Sequence, residues 1–229
     1  MADFIFFVGR TLINEKNFSS YVDSRLLYLL NGFGARIDNR NYDAIKKDVI
    51  KNRKVGNGGI VELIVEICRV LMPTGYEKII LKHIIPSIEF AEKHFLYPHD
   101  DAIKTLEILS QNFKIGIISN QDKKIMRVLE NYELDKYFDV CIFSYDTKYR
   151  EHDQGIFKLG LDTIKKKSEQ CIMIGDRLDK DILPANILGM TTIRFTNSKF
   201  RLQEPLSQYE IPKFTMNNLI ELIKITSKI

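Results

Sequence analysis

The sequence lacks tryptophan and has few cysteines, and it shows no pattern typical of a secreted or membrane protein. Its 229 residues include no Trp and 3 Cys. Cys68, Cys141 and Cys171 are far apart, so no disulfide framework is indicated; Cys141 and Cys171, in apolar strand-like runs, are expected to be buried free thiols. No apolar run approaches the ~20 residues of a membrane span, and the amino-terminal segment lacks a signal peptide's basic region. We therefore expect a cytoplasmic protein without a membrane partner.

Charge of one sign is also not concentrated anywhere in the chain. The formal net charge is +4, with 28% charged and 45% hydrophobic residues, which is ordinary for a globular protein. The excess of basic residues is scattered, and no basic stripe with interleaved aromatic residues is present. The composition therefore gives no reason to expect a nucleic-acid partner.

Short apolar runs alternate with helical patterns along most of the chain. This alternation predicts an α/β fold with a doubly wound parallel sheet. Residues 16–96 differ, because they carry helical spacing with almost no strand signal. We expect a core domain made of residues 1–15 and 97–229, with an inserted all-helical cap at 16–96. The predicted strands are Phe4–Val8, Lys114–Ile118, Val140–Phe143, Cys171–Ile174 and Thr191–Phe195.

One stretch, Cys171–Ile182, carries the clearest chemical signal. Its apolar run stops at Gly175-Asp176, and Asp181 follows within about one helical turn. Ligands of open α/β sheets bind beyond the carboxyl ends of the strands, so Asp176 could hold a metal ion or a phosphate-bearing ligand there. The alternative is that Asp176 only caps the next helix.

The order of motifs resembles the haloacid dehalogenase-like (HAD) superfamily, in its form with a helical cap. The residues that carry the resemblance are Gly175-Asp176-Arg177-Leu178-Asp179-Lys180-Asp181-Ile182 and Ile117-Ile118-Ser119-Asn120. The resemblance implies the HAD-like Rossmannoid fold and hydrolysis of phosphate monoesters, or dehalogenation, by an Asp nucleophile with Mg²⁺. It also implies that Ser119, with Asn120 and Thr11 beside the site, holds the phosphoryl oxygens. Asp176 matches the magnesium carboxylate, and Asp181 is the second acid of that motif.

The first-strand motif departs from the family pattern. Where the family has Phe-Asp-x-Asp-Gly-Thr-Leu, this chain has Phe6-Phe7-Val8-Gly9-Arg10-Thr11-Leu12. Phe7 stands at the nucleophile position and Gly9 at the acid/base position, and neither can attack phosphorus or donate a proton. Glu151 stands where the family has a Lys. Asp3, the nearest acid, precedes the strand and is expected at the opposite end of the sheet.

These substitutions can be read as a charge exchange. Arg10 arrives where two acids are missing, and Glu151 replaces a cation. Because unpaired buried charges are costly, Arg10 is expected near Asp176 or Glu151, and Arg10 or Arg177 would contact a ligand. The alternative is that Arg10 and Glu151 are solvated surface residues.

Three functions stay open at this point. The first is a non-catalytic pseudoenzyme retained for binding a phosphorylated ligand or a protein partner. The second is a magnesium-dependent hydrolase of a small phosphate ester with a non-standard site. The third is a stabilising subunit of a complex. Asp176 and Asp181 alone support Mg²⁺ only weakly, because this ion usually needs further oxygen ligands.

Overall fold

The computed structural model describes residues 2–8, 11–56, 59–119, 124–144 and 154–229. The chain forms two compact units. One consists of Met1–Asn14 and Tyr97–Ile229, and the other of Glu15–Leu96. The first holds a parallel sheet with helices and the second is built from helices alone. The predicted α/β fold with a helical insertion is therefore confirmed.

Six strands of the first unit form one sheet in the order β5-β4-β1-β6-β7-β8, and all neighbouring pairs are parallel. β1 and β6 are buried along their whole length, which is why they read as continuous apolar runs in the sequence. A separate antiparallel pair joins β2 and β3. The strands are β1 Phe4–Val8, β2 Ile13–Asn14, β3 Tyr97–Pro98, β4 Lys114–Ser119, β5 Val140–Phe143, β6 Cys171–Gly175, β7 Thr191–Phe195 and β8 Phe214–Met216.

The helices of the two units follow the apolar spacing of the sequence. In α1 the buried residues are Phe18, Val22, Leu26 and Leu30, which recur every four residues along one face. The helical unit contains α1 Lys16–Gly32, α2 Asn39–Lys51, α3 Ile60–Leu71 and α4 Tyr76–His94. The sheet unit contains α5 Ala102–Leu109, α6 Lys124–Asn131, α7 Gln154–Ile164, α8 Leu183–Leu188 and α9 Glu221–Thr226.

One face of the sheet packs closely against α7. Phe6 and Ile118 belong to a buried apolar cluster there with Phe157 of α7. A Cβ atom on Gly160 would lie 3.0 Å from Ile118 Cδ1, and one on Gly116 would lie 2.8 Å from the Phe6 ring. These two glycines therefore let α7 and β4 approach the neighbouring side chains of the sheet closely.

Several predictions about the fold need correction. Cys141 is exposed, because β5 is an edge strand, whereas Cys68 and Cys171 are buried. The strand β8 was not predicted. One contact across the sheet unit was also not predicted: Asp101, which directly precedes α5, accepts a hydrogen bond through its Oδ2 from the Ile220 N–H, 2.9 Å away.

None of the helices in the described ranges combines the length and the apolar character that a membrane span needs.

Candidate functional site

The carboxyl ends of three neighbouring strands bring Phe7, Ser119 and Asp176 to one edge of the sheet. β1 lies between β4 and β6, with Phe7 paired to Ile117 on one side and to Ile174 on the other. Ser119 ends β4, and Asp176 directly follows β6. The two residues whose match to the family is best therefore lie on either side of the end of β1.

Phe7 occupies the central strand at this edge and is fully buried. Its strand partners Ile117 and Ile174 are also fully buried, so the ring lies in an apolar layer of the sheet. A phenyl ring has no lone pair for attack on phosphorus and no oxygen for a metal. The residues predicted to complete this part of the site, Gly9, Arg10, Asn120 and Glu151, lie outside the described residues.

Thr11 is buried and closes the turn that follows β1. Its Oγ1 donates a hydrogen bond to the Val8 carbonyl oxygen at 3.0 Å, and its N–H donates to the same oxygen at 3.1 Å. While this bond holds, the hydroxyl proton is directed at the main chain and only the oxygen's lone pairs face elsewhere. Thr11 therefore has a visible structural role, and its contact with a phosphate stays a prediction, as does that of Ser119.

Asp181 shapes the turn that carries Asp176. Its Oδ2 accepts hydrogen bonds from the backbone N–H groups of Asp176 and Arg177, each at 2.9 Å. A Cβ atom at Gly175 would lie 2.3 Å from Asp181 Cβ, so only glycine allows this approach. Burial, reinforced by the charge of Asp176, raises the pKa of Asp181 to about 8. Asp181 thus acts here as an acceptor for the backbone.

The turn continues as one π-helical turn, Leu178–Ile182, before α8 begins. Such turns are rare and are often found at functional sites. The residue at its amino-terminal boundary is Arg177, so Asp176 does not occupy the capping position that the alternative interpretation gave it.

Arg177 is buried and bonded to its own turn. Its Nη2 lies 2.9 Å from Asp179 Oδ2, its Nε donates to Asp179 Oδ1 at 3.3 Å, and its guanidinium carbon lies 4.7 Å from the centre of the Phe200 ring. Burial by itself would raise the pKa of Asp179, but the bonds from Arg177 outweigh it and the pKa is lowered. This geometry favours a structural role for Arg177, and its contact with a ligand stays a prediction.

Gln203, more than twenty residues further along the chain, is hydrogen-bonded to the turn that contains the Arg177–Asp179 pair. Its Oε1 accepts from the Leu178 N–H at 3.1 Å, and its Nε2 donates to Asp179 Oδ1 at 3.3 Å. Neither Asp179 nor Gln203 had a predicted role. The opposite charges of Arg177 and Asp179, two positions apart, were a local signal for their pairing, but nothing near Gln203 in sequence indicates its contact.

The described residues do not fit a magnesium ion. No group of three or more His, Cys, Asp or Glu side chains able to hold a metal occurs among them. Phe7 offers no oxygen, and Asp181 Oδ2 already accepts two backbone hydrogen bonds. Among the described residues Asp176 stays the candidate ligand, and one carboxylate is a poor match for an ion that prefers six oxygen ligands.

Asp3 lies at the amino end of β1, as its position in the sequence predicts. Its N–H donates to the Gln170 carbonyl and its own carbonyl accepts from the Lys114 N–H, both at 3.0 Å, and its carboxylate pairs with Lys166. Lys114 begins β4 and Gln170 directly precedes β6. Asp3 is therefore held one strand length from Ser119 and Asp176, where it cannot replace a nucleophile.

A family model described as haloacid dehalogenase-like hydrolase matches residues 24–189 of the chain. The chain belongs to this family. Among its relatives, a glyceraldehyde 3-phosphate phosphatase of Methanocaldococcus jannaschii is 27% identical and is aligned over 98% of this chain and 96% of its own. A protein with the same name from Methanopyrus kandleri is 28% identical over 59% of each chain.

Solved structures of the family share the fold of this HAD-like hydrolase. A chain from Haemophilus somnus described as a predicted phosphoglycolate phosphatase superposes with a TM-score of 0.72, at 17% identity and 98% coverage of both chains. A magnesium-bound HAD-hydrolase of Bacillus subtilis superposes with a TM-score of 0.69, at 18% identity and 98% coverage of both. At these identities the likeness concerns the fold alone.

Proposed function

We propose that this HAD-like hydrolase binds a small phosphate ester at the carboxyl edge of its sheet and does not hydrolyse it by the aspartyl route. The observation that carries the proposal is Phe7, which stands fully buried in the central strand at the position that the family resemblance assigns to the nucleophile.

The absence of a carboxylate at position 7 carries a large kinetic cost for the aspartyl route. Covalent catalysis at this position needs a carboxylate to form the new bond, and a phenyl ring has no group that could form it. Removal of a catalytic nucleophile elsewhere costs several orders of magnitude in rate, and each factor of ten equals ~1.4 kcal/mol of barrier. Residual binding groups do not restore a loss of this size.

The choice of ligand is supported by the relatives. The protein that aligns with nearly the whole chain is named for a phosphatase acting on glyceraldehyde 3-phosphate. A ribulose-1,5-bisphosphate 5-phosphatase of Halopiger xanaduensis is 32% identical over 48% of this chain. Both names describe small phosphorylated sugars or their derivatives, and Ser119, at the end of β4, is the hydroxyl that we assign to the phosphoryl group. A protein partner in place of a small ligand is the other form of this binding function.

Hydrolysis of a small phosphate ester is the second candidate function. The names of the relatives favour it, and they support it better than they support a loss of activity. In this case a residue other than Phe7 would have to supply the attacking group, with Mg²⁺ bound at or near Asp176.

A single experiment separates the two candidates. Purified protein is assayed with Mg²⁺ against a panel of small phosphate esters that includes glyceraldehyde 3-phosphate, and binding of the same esters is measured by calorimetry. We expect binding without turnover. Turnover above background that is lost in Asp176→Asn would establish the phosphatase instead, and an absence of both binding and turnover would refute the proposed ligand class.

The complementary variant restores the family residues. Phe7→Asp, Gly9→Asp and Glu151→Lys are combined, and the matched control carries the last two changes alone. Any phosphatase activity in the triple variant that the control lacks would show that the residue correspondence is right and that Phe7 blocks the chemistry.

A further inference from the structure

We propose that the exposed face of α4 binds the same face of a second copy of this chain, in a reversible two-fold dimer. The proposal concerns the helical unit alone and does not depend on the proposed function. Two features of α4 carry it: a row of exposed apolar side chains, and an order of charged side chains that makes the face complementary to itself.

The first step is the composition of the exposed face. The helix already buries one side within its own unit, through Ile80, Ile84, Ile88 and Ala91. Ile79, Pro86 and Phe90 are nevertheless exposed, with 42% of Ile79 and 47% of Phe90 open to solvent. These three residues are seven and four positions apart, which places them along one side of the helix. A continuous apolar row on the solvent side of a folded helix is typical of a contact surface.

The second step concerns Phe90, which neighbouring rings hold in place. Its ring centroid lies 4.5 Å from that of His94 and 5.6 Å from that of Tyr21. The ring of Phe95 is 5.9 Å away. An aromatic side chain that is fixed before binding loses little conformational entropy in a complex, and such side chains often dominate an interface. Phe90 is therefore a suitable anchor on this face.

The third step concerns Pro86, which lies in the interior of α4. A proline there cannot donate to the carbonyl group four residues earlier, and it costs about 3 kcal/mol relative to alanine. Because the Pro86 side chain is exposed, packing within the chain does not offset this cost. A contact across this face gives the ring a surface to pack against, and its burial offsets part of the cost.

The fourth step is the order of charged side chains in a row beside the apolar one. Lys82 lies in the first half of α4 and Glu89 in the second half, and both are exposed. Each residue advances a helix by about 1.5 Å, so two antiparallel copies of α4 that meet at Ile85 place Lys82 of one copy within about 1.5 Å of the height of Glu89 of the other. Ile79 of one copy comes equally close to the height of Phe90 of the other. A two-fold axis normal to the helix pair keeps each row on its own side, so opposite charges face each other and apolar groups meet.

Two outer pairs follow the same order. Lys78 and Glu92 are both seven residues from Ile85, and Glu77 and Lys93 are both eight residues from it. In the antiparallel register each lysine therefore comes to the height of a glutamate of the second copy. A parallel pair in register would place identical charges together, which is unfavourable. The charge order thus favours an antiparallel second copy as the occupant of this face.

The size of the face sets the expected strength of the dimer. α4 has 19 residues, which gives a length of about 28 Å. A contact two helices wide, ~20 Å, covers about 560 Å² on each copy. The total of about 1,100 Å² lies at the lower end of specific interfaces, so we expect a dissociation constant of roughly micromolar size.

The first test is sedimentation velocity of the full chain at about 1 to 200 μM, a range that brackets a micromolar dissociation constant. We expect a shift from monomer to dimer across this range. Ile79→Glu places a charge in the apolar row and should raise the dissociation constant at least about tenfold. The matched control is Leu206→Glu, which makes the same kind of change at a side chain of the sheet unit that is 77% exposed, and it should leave the dimer unchanged. A chain that stays monomeric throughout, or a dimer that Ile79→Glu does not weaken, would overturn the proposal.

The second test exchanges the central charges and decides the register. Lys82→Glu alone and Glu89→Lys alone should each weaken the dimer at least about tenfold, because like charges then face each other twice across the two-fold axis. The two changes combined in one chain restore opposite charges, and so does an equimolar mixture of the two single variants. Both should return to within about threefold of the wild-type dissociation constant. Circular dichroism of each variant checks that it is folded. Single variants that dimerise like the wild type, or no recovery in the combined variant and the mixture, would overturn the proposal.

Discussion

Replacement of Phe7 by aspartate should unfold the sheet unit or bring it close to unfolding, and this outcome can be estimated from the structure. Phe7 is fully buried between Ile117 and Ile174. Truncation of a buried Phe costs about 3–5 kcal/mol. A carboxyl group buried in the same place must also be protonated or lose its hydration, which adds about 1–3 kcal/mol or more to the free-energy cost. The sum of about 4–8 kcal/mol approaches the whole stability of a typical domain, about 5–15 kcal/mol.

The matched control is Phe7→Leu, which keeps the position apolar and should cost less than about 1.5 kcal/mol. Both variants are unfolded in urea and followed by circular dichroism. Because burial raises the pKa of the introduced carboxyl group, the native state favours its protonated form, and the deficit of Phe7→Asp should grow as the pH rises from about 4 to 7. Equal costs for the two variants at pH 7 would show that the position faces the crevice, and the packing argument would fail.

Two further predictions follow from close approaches and exposure. Gly175→Ala should lower the free energy of unfolding by at least about 2 kcal/mol, because the added Cβ would clash with Asp181. The control Gly32→Ala, which has open space around the added Cβ, should change the free energy of unfolding by less than about 1 kcal/mol. Similar losses for the two variants in urea unfolding would contradict this prediction. Cys141 is exposed, although partial burial of its thiol raises the pKa to about 11, so it should react slowly with a thiol reagent in the native protein; buried Cys68 and Cys171 should react only after denaturation, and equal rates for all three thiols would disprove the assigned exposure.

The parallel sheet was predictable where strands are short continuous apolar runs. Phe4–Val8 and Val140–Phe143 have the bounds that their apolar runs indicate. The strand β8, Phe214–Met216, was not predicted, because three residues are too few for a strand pattern to be distinguished from the surrounding polar sequence. The exposure of Cys141 was not predicted for a different reason. A local apolar run indicates that a strand exists, but only the order of strands in the sheet decides whether that strand lies at an edge.

The site was predictable only in its local part. Gly175 and Asp181 are six residues apart, and their close approach belongs to a motif that is visible in the sequence. The contact of Gln203 with Leu178 and Asp179 joins residues more than twenty positions apart, and no single-sequence signal reports it. Arg177 illustrates this limit. Its position in the motif suggested a contact with a ligand, whereas its observed contacts with Asp179 and Phe200 favour a structural role in the turn.

Phe7 also affects the stability of the fold, which matters for any variant designed to restore activity. Catalytic carboxylates at the end of a central strand are costly to keep, and stability is often gained when such groups are lost. Phe7 places a buried ring in β1 at the position that the family resemblance assigns to the nucleophile. A restored carboxylate therefore weakens the scaffold on which it must act. A triple variant without activity is informative only if it is folded, so its unfolding must be measured before its turnover.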